Sequence, residues 1–169
     1  MKKYILICTI FVLSAFCGCK VNYSFTGGNI DYTKIKSVSV LYFTNNAPIV
    51  QPTLSQSFTD ALRDKFNSQT KLTLVNKGGD LNFEGSIVGY STQPVAIQGN
   101  ETAALNRLTI TVSVKFTNKL DEKQNFEQNF SYYEDYQSSL SLSSVEETLI
   151  KDINDALVEK IFNQSVVNW

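Results

Sequence analysis

The chain of 169 residues contains no histidine, which removes the commonest general base and the commonest metal ligand in proteins. Its three cysteines, Cys8, Cys17 and Cys19, all lie near the N-terminus, so the rest of the chain has no internal disulfide and no thiolate ligands. Fifteen basic residues nearly balance 16 acidic ones, a composition that does not indicate nucleic acid as a partner. We therefore expect no metal site, no cofactor and no nucleic-acid binding.

The remaining candidates for catalysis are paired carboxylates and a serine-rich stretch. Glu146-Glu147 lies where a helix is predicted to begin, and negative charge is favourable at that position. Asp121-Glu122 lies in a predicted turn. Residues 138–144 are rich in serine but form no nucleophile elbow. A serine–lysine pair stays open, although no motif indicates one. We expect no catalytic residues and a protein that is not an enzyme.

The first residues have the pattern of a bacterial lipoprotein signal. Met1-Lys2-Lys3 is positively charged, and residues 4–16 are apolar, as in a signal peptide. This run is shorter than the roughly 17–25 residues of a membrane-spanning helix. Gly18 and Cys19 then resemble a lipobox, in which cleavage before the cysteine leaves its thiol to carry the lipid. The sequence predicts lipidation, with fatty acyl chains that include palmitate, at Cys19.

The rest of the chain is predicted to be one domain on a tether. We expect a signal peptide over residues 1–18, the lipidated cysteine and its tether over 19–36, and a single domain over 37–169. The tether contains a pair of glycines and shows no periodicity. As a flexible coil it would average about 25 Å in length, so the domain is predicted to act close to its membrane.

Two amphipathic helices are predicted. The first spans Thr53 to Ser68, with Thr53 and Gln56 as a capping box. Its apolar side chains recur at helical spacing at Phe58, Ala61, Leu62 and Phe66. The second begins at Ser143 or Ser144. Its apolar stripe is formed by Val145, Leu149, Ile153, Ala156, Leu157 and Ile161.

Five strands are predicted, over residues 37–43, 72–75, 81–90, 108–117 and about 126–132. Gly85 and Gly89 indicate a bend or bulge in the third. The element order β-α-β-β-β-β-α predicts an α+β fold: a two-layer sandwich of two helices on one face of a mixed four- to five-stranded sheet.

The strand over 108–117 alternates apolar and polar side chains. If the helices cover its apolar face, the opposite row faces outward, formed by Thr109, Thr111, Ser113, Lys115 and Thr117. Such a row is ordinarily solvated, but it also suits a surface inside a water-lined cavity such as a β-barrel lumen. An aromatic–acidic cluster at 132–136 fits either packing at a sheet edge or a carbohydrate or partner contact. Trp169 is predicted to cover the edge of the core.

Nearly the whole predicted domain resembles one known family. The runs that carry the resemblance are QPTLSQSFTDALRDKF (51–66), LTLVNKGGDLNFEGSIVGY (72–90), GNETAALNRLTITVSVKFTN (99–118), QNFEQNFSYYEDY (124–136) and the terminal NW (168–169). They resemble the LptE family of lipopolysaccharide-assembly lipoproteins, in the version found in Bacteroidetes-type Gram-negative bacteria. These runs are family signatures and contain no catalytic motif.

The resemblance implies a location and partners. Such proteins are anchored by lipid in the inner leaflet of the outer membrane, facing the periplasm. They insert into the lumen of the β-barrel LptD, assist its assembly, plug its pore and help deliver lipopolysaccharide to the cell surface. Basic residues of the family contact lipopolysaccharide phosphates. On physical grounds the candidate contacts with lipopolysaccharide or the barrel in this chain are Arg107, Lys115, Lys71, Arg63, Thr109 and Thr111, with arginine preferred for bidentate phosphate contact.

A second hypothesis is a free-standing periplasmic lipoprotein that binds a lipid or glycan. This function requires a pocket between the sheet and the helices. The predicted helix faces show no unusual cluster of aromatic or small side chains that would open one.

Overall fold

A computed structural model of the chain describes residues 30–95 and 104–167. The elements follow the predicted order, with one short strand added. They are β1 (Ser37–Val40), β2 (Thr44–Asn45), α1 (Leu54–Gln69), β3 (Thr73–Val75), β4 (Leu81–Val95), β5 (Leu105–Asn118), a 3₁₀ turn (Glu122–Gln124), β6 (Phe126–Gln137), α2 (Leu142–Phe162) and a final π-helical turn (Asn163–Val167). None of the helices in the described residues is long and apolar enough to cross a membrane.

The strands form one mixed sheet in the order β3-β1-β4-β5-β6, with β2 also paired to β4. β1 is parallel to β3 and β4, whereas β4, β5 and β6 are antiparallel neighbours. The predicted α+β sandwich with a mixed sheet is confirmed. The sheet has six strands because the chain continues along the edge of β4 after β1, where Leu41 N donates to Phe83 O (2.9 Å) and Asn46 N donates to Ile87 O (2.8 Å).

Aromatic side chains join both helices to one face of the sheet, which we call the inner face. Phe66 of α1 packs on Phe83 of β4 and on Phe162 of α2, with ring centroids 4.8 and 5.2 Å apart. Phe83 in turn packs on Phe116 of β5, and Phe116 on Phe126 of β6. Burying each such side chain stabilises the fold by about 1.5–3 kcal/mol. The helices therefore cover the inner face and leave the other side of the long strands uncovered.

The structure places Thr53 at the N-cap of α1, but the predicted capping box and the predicted caps of α2 are wrong. Thr53 precedes α1 but makes no side-chain cap bond, because its hydroxyl donates to Gln51 and Gln56 bonds Asp60 instead. α2 begins at Leu142, before both predicted caps, and Leu142 packs partly buried against the core. Ser144 is therefore inside the helix, where its hydroxyl donates to the Ser141 carbonyl.

The three long strands extend further than predicted. β4 reaches Val95, β5 begins at Leu105 and β6 reaches Gln137, so the hairpins pair well beyond the alternating apolar segments. Backbone pairing continues there without an apolar side chain at each inward position, which is why hydrophobic alternation did not indicate it. The predicted bulge is confirmed, at the register shift between Ile87 and Gly89. The predicted features at Cys19 and Trp169 lie outside the described residues.

Gly85 lies where the β4 backbone leaves no room for a side chain. A Cβ atom there would lie 2.0 Å from the Ser113 carbonyl oxygen and 2.7 Å from the Phe43 ring. At Gly89 the nearest atoms to such a Cβ would be Cβ and Oγ1 of the Thr111 side chain, at 3.1 and 3.3 Å. The strand therefore depends on glycine at Gly85 for steric reasons.

We predict that Gly85→Ala lowers the free energy of unfolding by about 3 kcal/mol, because fixed backbone must move to admit the methyl group. Gly89→Ala, the matched control, should cost about 1 kcal/mol, since only a side chain must shift. Urea denaturation followed by circular dichroism measures both. Equal losses for the two variants would contradict this account of β4.

Candidate functional site

The uncovered side of β4, β5 and β6, here called the outer face, is polar. In β5 the inward side chains are buried, whereas the alternate row is half-buried or exposed. The predicted outward orientation of that row is confirmed for Thr109, Thr111, Ser113, Lys115 and Thr117.

Hydroxyl and amide groups continue this row onto both neighbouring strands. Ser113 lies between Ser86 of β4 and Asn129 of β6. Thr111 faces Ser131, and its hydroxyl donates to the Ser131 hydroxyl at 3.0 Å. The centre of the outer face therefore offers donors and acceptors but no charge.

Lys115 lies near one end of the outer face and is paired with a carboxylate. It stands opposite Glu84 of β4 and Glu127 of β6, and its Nζ lies 2.8 Å from Glu84 Oε1. The hydrogen bond to Glu84 raises the pKa of Lys115. The pair is solvent-exposed, and exposed pairs of this kind add little stability. Its main effect is to neutralise the lysine charge on this surface.

Arg107 lies toward the other end and forms a two-pronged ion pair. Its Nε and Nη2 donate to the two carboxylate oxygens of Asp135, at 2.7 and 2.9 Å. The guanidinium also lies 3.6 Å from the centre of the Tyr133 ring, an arrangement typical of a cation–π contact. The hydrogen bonds with Asp135 raise the pKa of Arg107 and lower that of the carboxyl. Arg107 is thus held flat against the outer face.

The predicted aromatic–acidic cluster is divided between the two faces of β6. Tyr136 is buried on the inner side, whereas Tyr133 and Asp135 lie on the outer face with Arg107. The Tyr132 ring is stacked against Tyr133, with Lys160 of α2 lying 4.7 Å from its centre. These contacts favour edge packing of the two tyrosines. A cavity of about 310 Å³ adjoins them, lined by residues 131–135 and Lys160.

The four candidate cations do not form one cluster. Arg63 lies on α1, where its guanidinium donates to the Val40 carbonyl at 3.0 Å, and Lys71 is exposed between α1 and β3. Arg107 and Lys115 share the outer face, but eight residues of strand separate them by about 26 Å. No single phosphate could therefore contact both.

Sequence reasoning missed the carboxylates that pair with the two outer-face cations. The predicted turn at 121–123 contains the signal that would have found Asp135 and Glu127, because it fixes the hairpin register that places them opposite Arg107 and Lys115. Glu84 required the pairing of β4 with β5 as well. Within residues 30–95 and 104–167, no group of three histidine, cysteine, aspartate or glutamate side chains could hold a metal ion.

Comparison with known proteins finds one matching family and several proteins of similar fold. A family model described as LptE, lipopolysaccharide-assembly, matches residues 35–165. None of the curated proteins compared with the chain matches its sequence.

Three solved structures of bacterial proteins are similar in fold. A minor lipoprotein from Acinetobacter baumannii is 16% identical with a TM-score of 0.50, covering 77% of this chain and 91% of that one. A hypothetical protein from Chlamydia trachomatis is 8% identical with a TM-score of 0.52, covering 77% and 98%. A protein from Xanthomonas campestris is 10% identical with a TM-score of 0.50, covering 76% and 84%. At these identities the likeness shows a common fold alone.

We predict that the pKa of Asp135 in the folded protein lies below the ordinary value of about 3.9 and rises toward it in Arg107→Gln. Because the folded pKa is depressed, the ion pair contributes stability above pH 4, and that contribution is lost as the pH falls through the folded pKa. Carboxyl NMR titration measures the pKa. Substituting the other arginine, Arg63→Gln, should leave it unchanged; an equal rise in both variants would refute the assignment.

Proposed function

The chain belongs to the LptE family of lipopolysaccharide-assembly proteins, and from this membership we propose that it is a lipid-anchored outer-membrane partner of an LptD-type β-barrel. In this proposal it plugs the barrel lumen, assists barrel assembly and helps deliver lipopolysaccharide to the cell surface. It performs these roles through surfaces rather than through catalysis.

The observation that carries the proposal is the polar outer face, with both of its named cations paired on the face itself. A barrel lumen is lined by polar groups, so a plug must present groups that can hydrogen-bond to it. It must also avoid transferring unpaired charges out of water, since such charges are costly to bury. Arg107 with Asp135 and Lys115 with Glu84 meet the second condition, and the hydroxyl row between them meets the first.

The same face supplies the proposed lipopolysaccharide contacts. We place Arg107 first among them, because a planar guanidinium can bind a phosphate with two hydrogen bonds. A phosphate would have to compete with Asp135 for that guanidinium, and with Glu84 at Lys115. Thr109 and Thr111 lie beside Arg107 on the strand and are proposed as contacts with the barrel. Lys71 and Arg63 lie away from this face and would act separately.

Lipidation at Cys19 would hold the domain beside its barrel. Ile30, the first described residue, follows Cys19 by 11 residues. A flexible coil of that length averages about 18 Å and reaches about 40 Å when extended. Two or three acyl chains anchor a protein durably, whereas a single chain does not. The proposed location is therefore the inner leaflet of the outer membrane, facing the periplasm and the barrel lumen.

The alternative, a free-standing lipid- or glycan-binding lipoprotein, has less support. The space between helices and sheet that would serve as its pocket is filled by fully buried side chains, among them Phe58, Phe83 and Leu157. A ligand there would have to displace packed core. The plug hypothesis requires no such rearrangement.

We predict that a photo-crosslinking amino acid at Thr111 or Lys115 forms a crosslink in intact cells to an outer-membrane barrel of the LptD type. Asp152, an exposed position on α2, is the control and should crosslink to it several-fold less. Mass spectrometry of the product identifies the partner. Absence of any barrel from the Thr111 and Lys115 products would sink the proposal.

A second prediction concerns the anchor. Cys19→Ala should abolish incorporation of a labelled fatty acid and release the protein into the soluble periplasmic fraction, because the acylated thiol is gone. Cys17→Ala, two residues earlier, is the matched control and should keep both the label and the membrane association. Retention of label in Cys19→Ala would show that the anchor lies elsewhere.

A further inference from the structure

The strands β1, β3, β4 and β6 all begin at one end of the sheet, where β5 ends. Ser37 is paired with Thr73, and Leu81 is paired with Asn118. A turn before β1, in which Ile35 N donates to Asp31 O at 2.9 Å, keeps the first described residue close to the same end. We call this the tether end, and its loops are residues 30–36, 70–72, 76–80 and 119–125.

The loops of the tether end are rich in lysine. They contain four carboxylates, Asp31, Asp80, Asp121 and Glu122, and six exposed lysines, Lys34, Lys36, Lys71, Lys77, Lys119 and Lys123. Two of the carboxylates are directed at the backbone. Asp80 accepts from the backbone nitrogens of Lys36 and Ser37, and Asp121 accepts from that of Lys123. The described loops at the opposite end, 46–53 and 138–141, contain no charged side chain.

Cations without a carboxylate partner are concentrated at the tether end. Six basic side chains in residues 30–95 and 104–167 form ion pairs, among them both cations of the outer face. Six others in those residues have no carboxylate within 4.0 Å, and all but Lys160 belong to the tether end. Lys36 and Lys119 donate to the backbone carbonyls of Tyr32 and Gly78, which leaves their charges uncompensated.

The spread of these lysines fits an extended surface rather than a single small anion. Lys71 adjoins β3 and Lys123 precedes β6, so the lysines extend over four strand spacings, about 19 Å. Leu120, which is 53% exposed, lies in the same turn as Lys119 and Lys123. An exposed apolar side chain among lysines is typical of a segment that lies at a membrane surface. A layer of anionic headgroups could contact all of these side chains together.

The proposed anchor determines which end of the domain reaches the membrane. Cys19 precedes Ile30 by 11 residues, so an acyl chain on Cys19 would keep the tether end within about 40 Å of the bilayer. Anionic lipids attract lysines over about a Debye length, roughly 8 Å at physiological ionic strength. The end that carries the uncompensated lysines is therefore the end that the anchor would bring to the headgroups.

We propose that the tether end docks on anionic phospholipid headgroups of the leaflet that holds the anchor, through Lys36, Lys71, Lys77, Lys119 and Lys123. The docking applies to the domain before it occupies a barrel, and it directs the β4–β5 hairpin away from the membrane. The inference rests on the proposed lipidation of Cys19 for its geometry. Its test uses an unlipidated chain, so its failure would leave the fatty-acid labelling of Cys19 as a separate result.

Vesicle binding tests the choice of ligand. The protein is the processed chain, residues 19–169, with Cys19→Ser to prevent acylation. Cosedimentation should show at least tenfold tighter binding to phosphatidylcholine vesicles containing about one third phosphatidylglycerol than to phosphatidylcholine alone, and added salt should weaken it. Equal binding to the two would overturn the proposal. Vesicles in which lipopolysaccharide supplies the same charge should bind no more tightly, and tighter binding would overturn the choice of phospholipid.

Matched charge variants separate the tether end from net charge. Lys77→Gln with Lys123→Gln should weaken binding to the anionic vesicles at least tenfold, because each lysine near such a surface contributes about fivefold. Lys65→Gln with Lys151→Gln removes the same charge from the two helices and should weaken binding less than threefold. Equal losses would overturn the proposal. The side chains of Lys77 and Lys123 are exposed, so that pair should keep the circular dichroism spectrum of the unmodified protein.

Paramagnetic broadening locates the docked surface. A gadolinium chelate on a lipid headgroup should broaden the amide NMR signals of Lys77 and of residues 119–123 most strongly. Signals of residues 48–50, at the opposite end, should be broadened least. Broadening centred on Thr111 and Ser113 would place the outer face on the bilayer and overturn the proposed orientation.

Discussion

Burial of one face of β5 is the interaction on which the other features depend. Leu108, Ile110 and Val112 are fully buried there, between strands on either side and beneath two helices. Side chains on a strand alternate, so a slip of one residue would move Arg107 and Lys115 into the core. That penalty fixes the register of β4 and β6 against β5. The cross-strand neighbours on the outer face follow from this register.

The electrostatic character of the two surfaces follows from the same arrangement. On the outer face, register places Asp135 opposite Arg107 and a glutamate on each side of Lys115, so opposite charges meet. On each helix the apolar side chains face the sheet, and small side chains face the neighbouring helix. Carboxylates outnumber basic side chains in the space between the two helices, where Asp64, Glu147 and Asp155 are among the lining residues. One surface is therefore neutral by pairing and the other is negative by excess.

Much of the fold could be predicted from the sequence, because periodicity reports which side chains are buried. The apolar stripe from Leu149 to Ile161 fits only a helix, and the alternation in β5 fits only a strand with one buried face. β2 has two residues and no period, so it was missed. The predicted capping bonds were wrong because the hydroxyls of Thr53 and Ser144 have other partners nearby. The outward position of Lys115 follows from strand alternation. Its pairing with Glu84 depends on the long-range pairing of β4 with β5, and the bond from Arg63 to the Val40 carbonyl depends on the packing of α1 on β1.

A side chain of α2 bonds the backbone of the outermost strand, β6, at one point. Lys160 donates from Nζ to the Ser131 carbonyl at 3.2 Å and lies over the Tyr132 ring. A lysine placed at an edge strand disfavours its pairing with an added strand. A partner that reaches this part of β6 therefore meets a charged side chain rather than an open row of backbone groups.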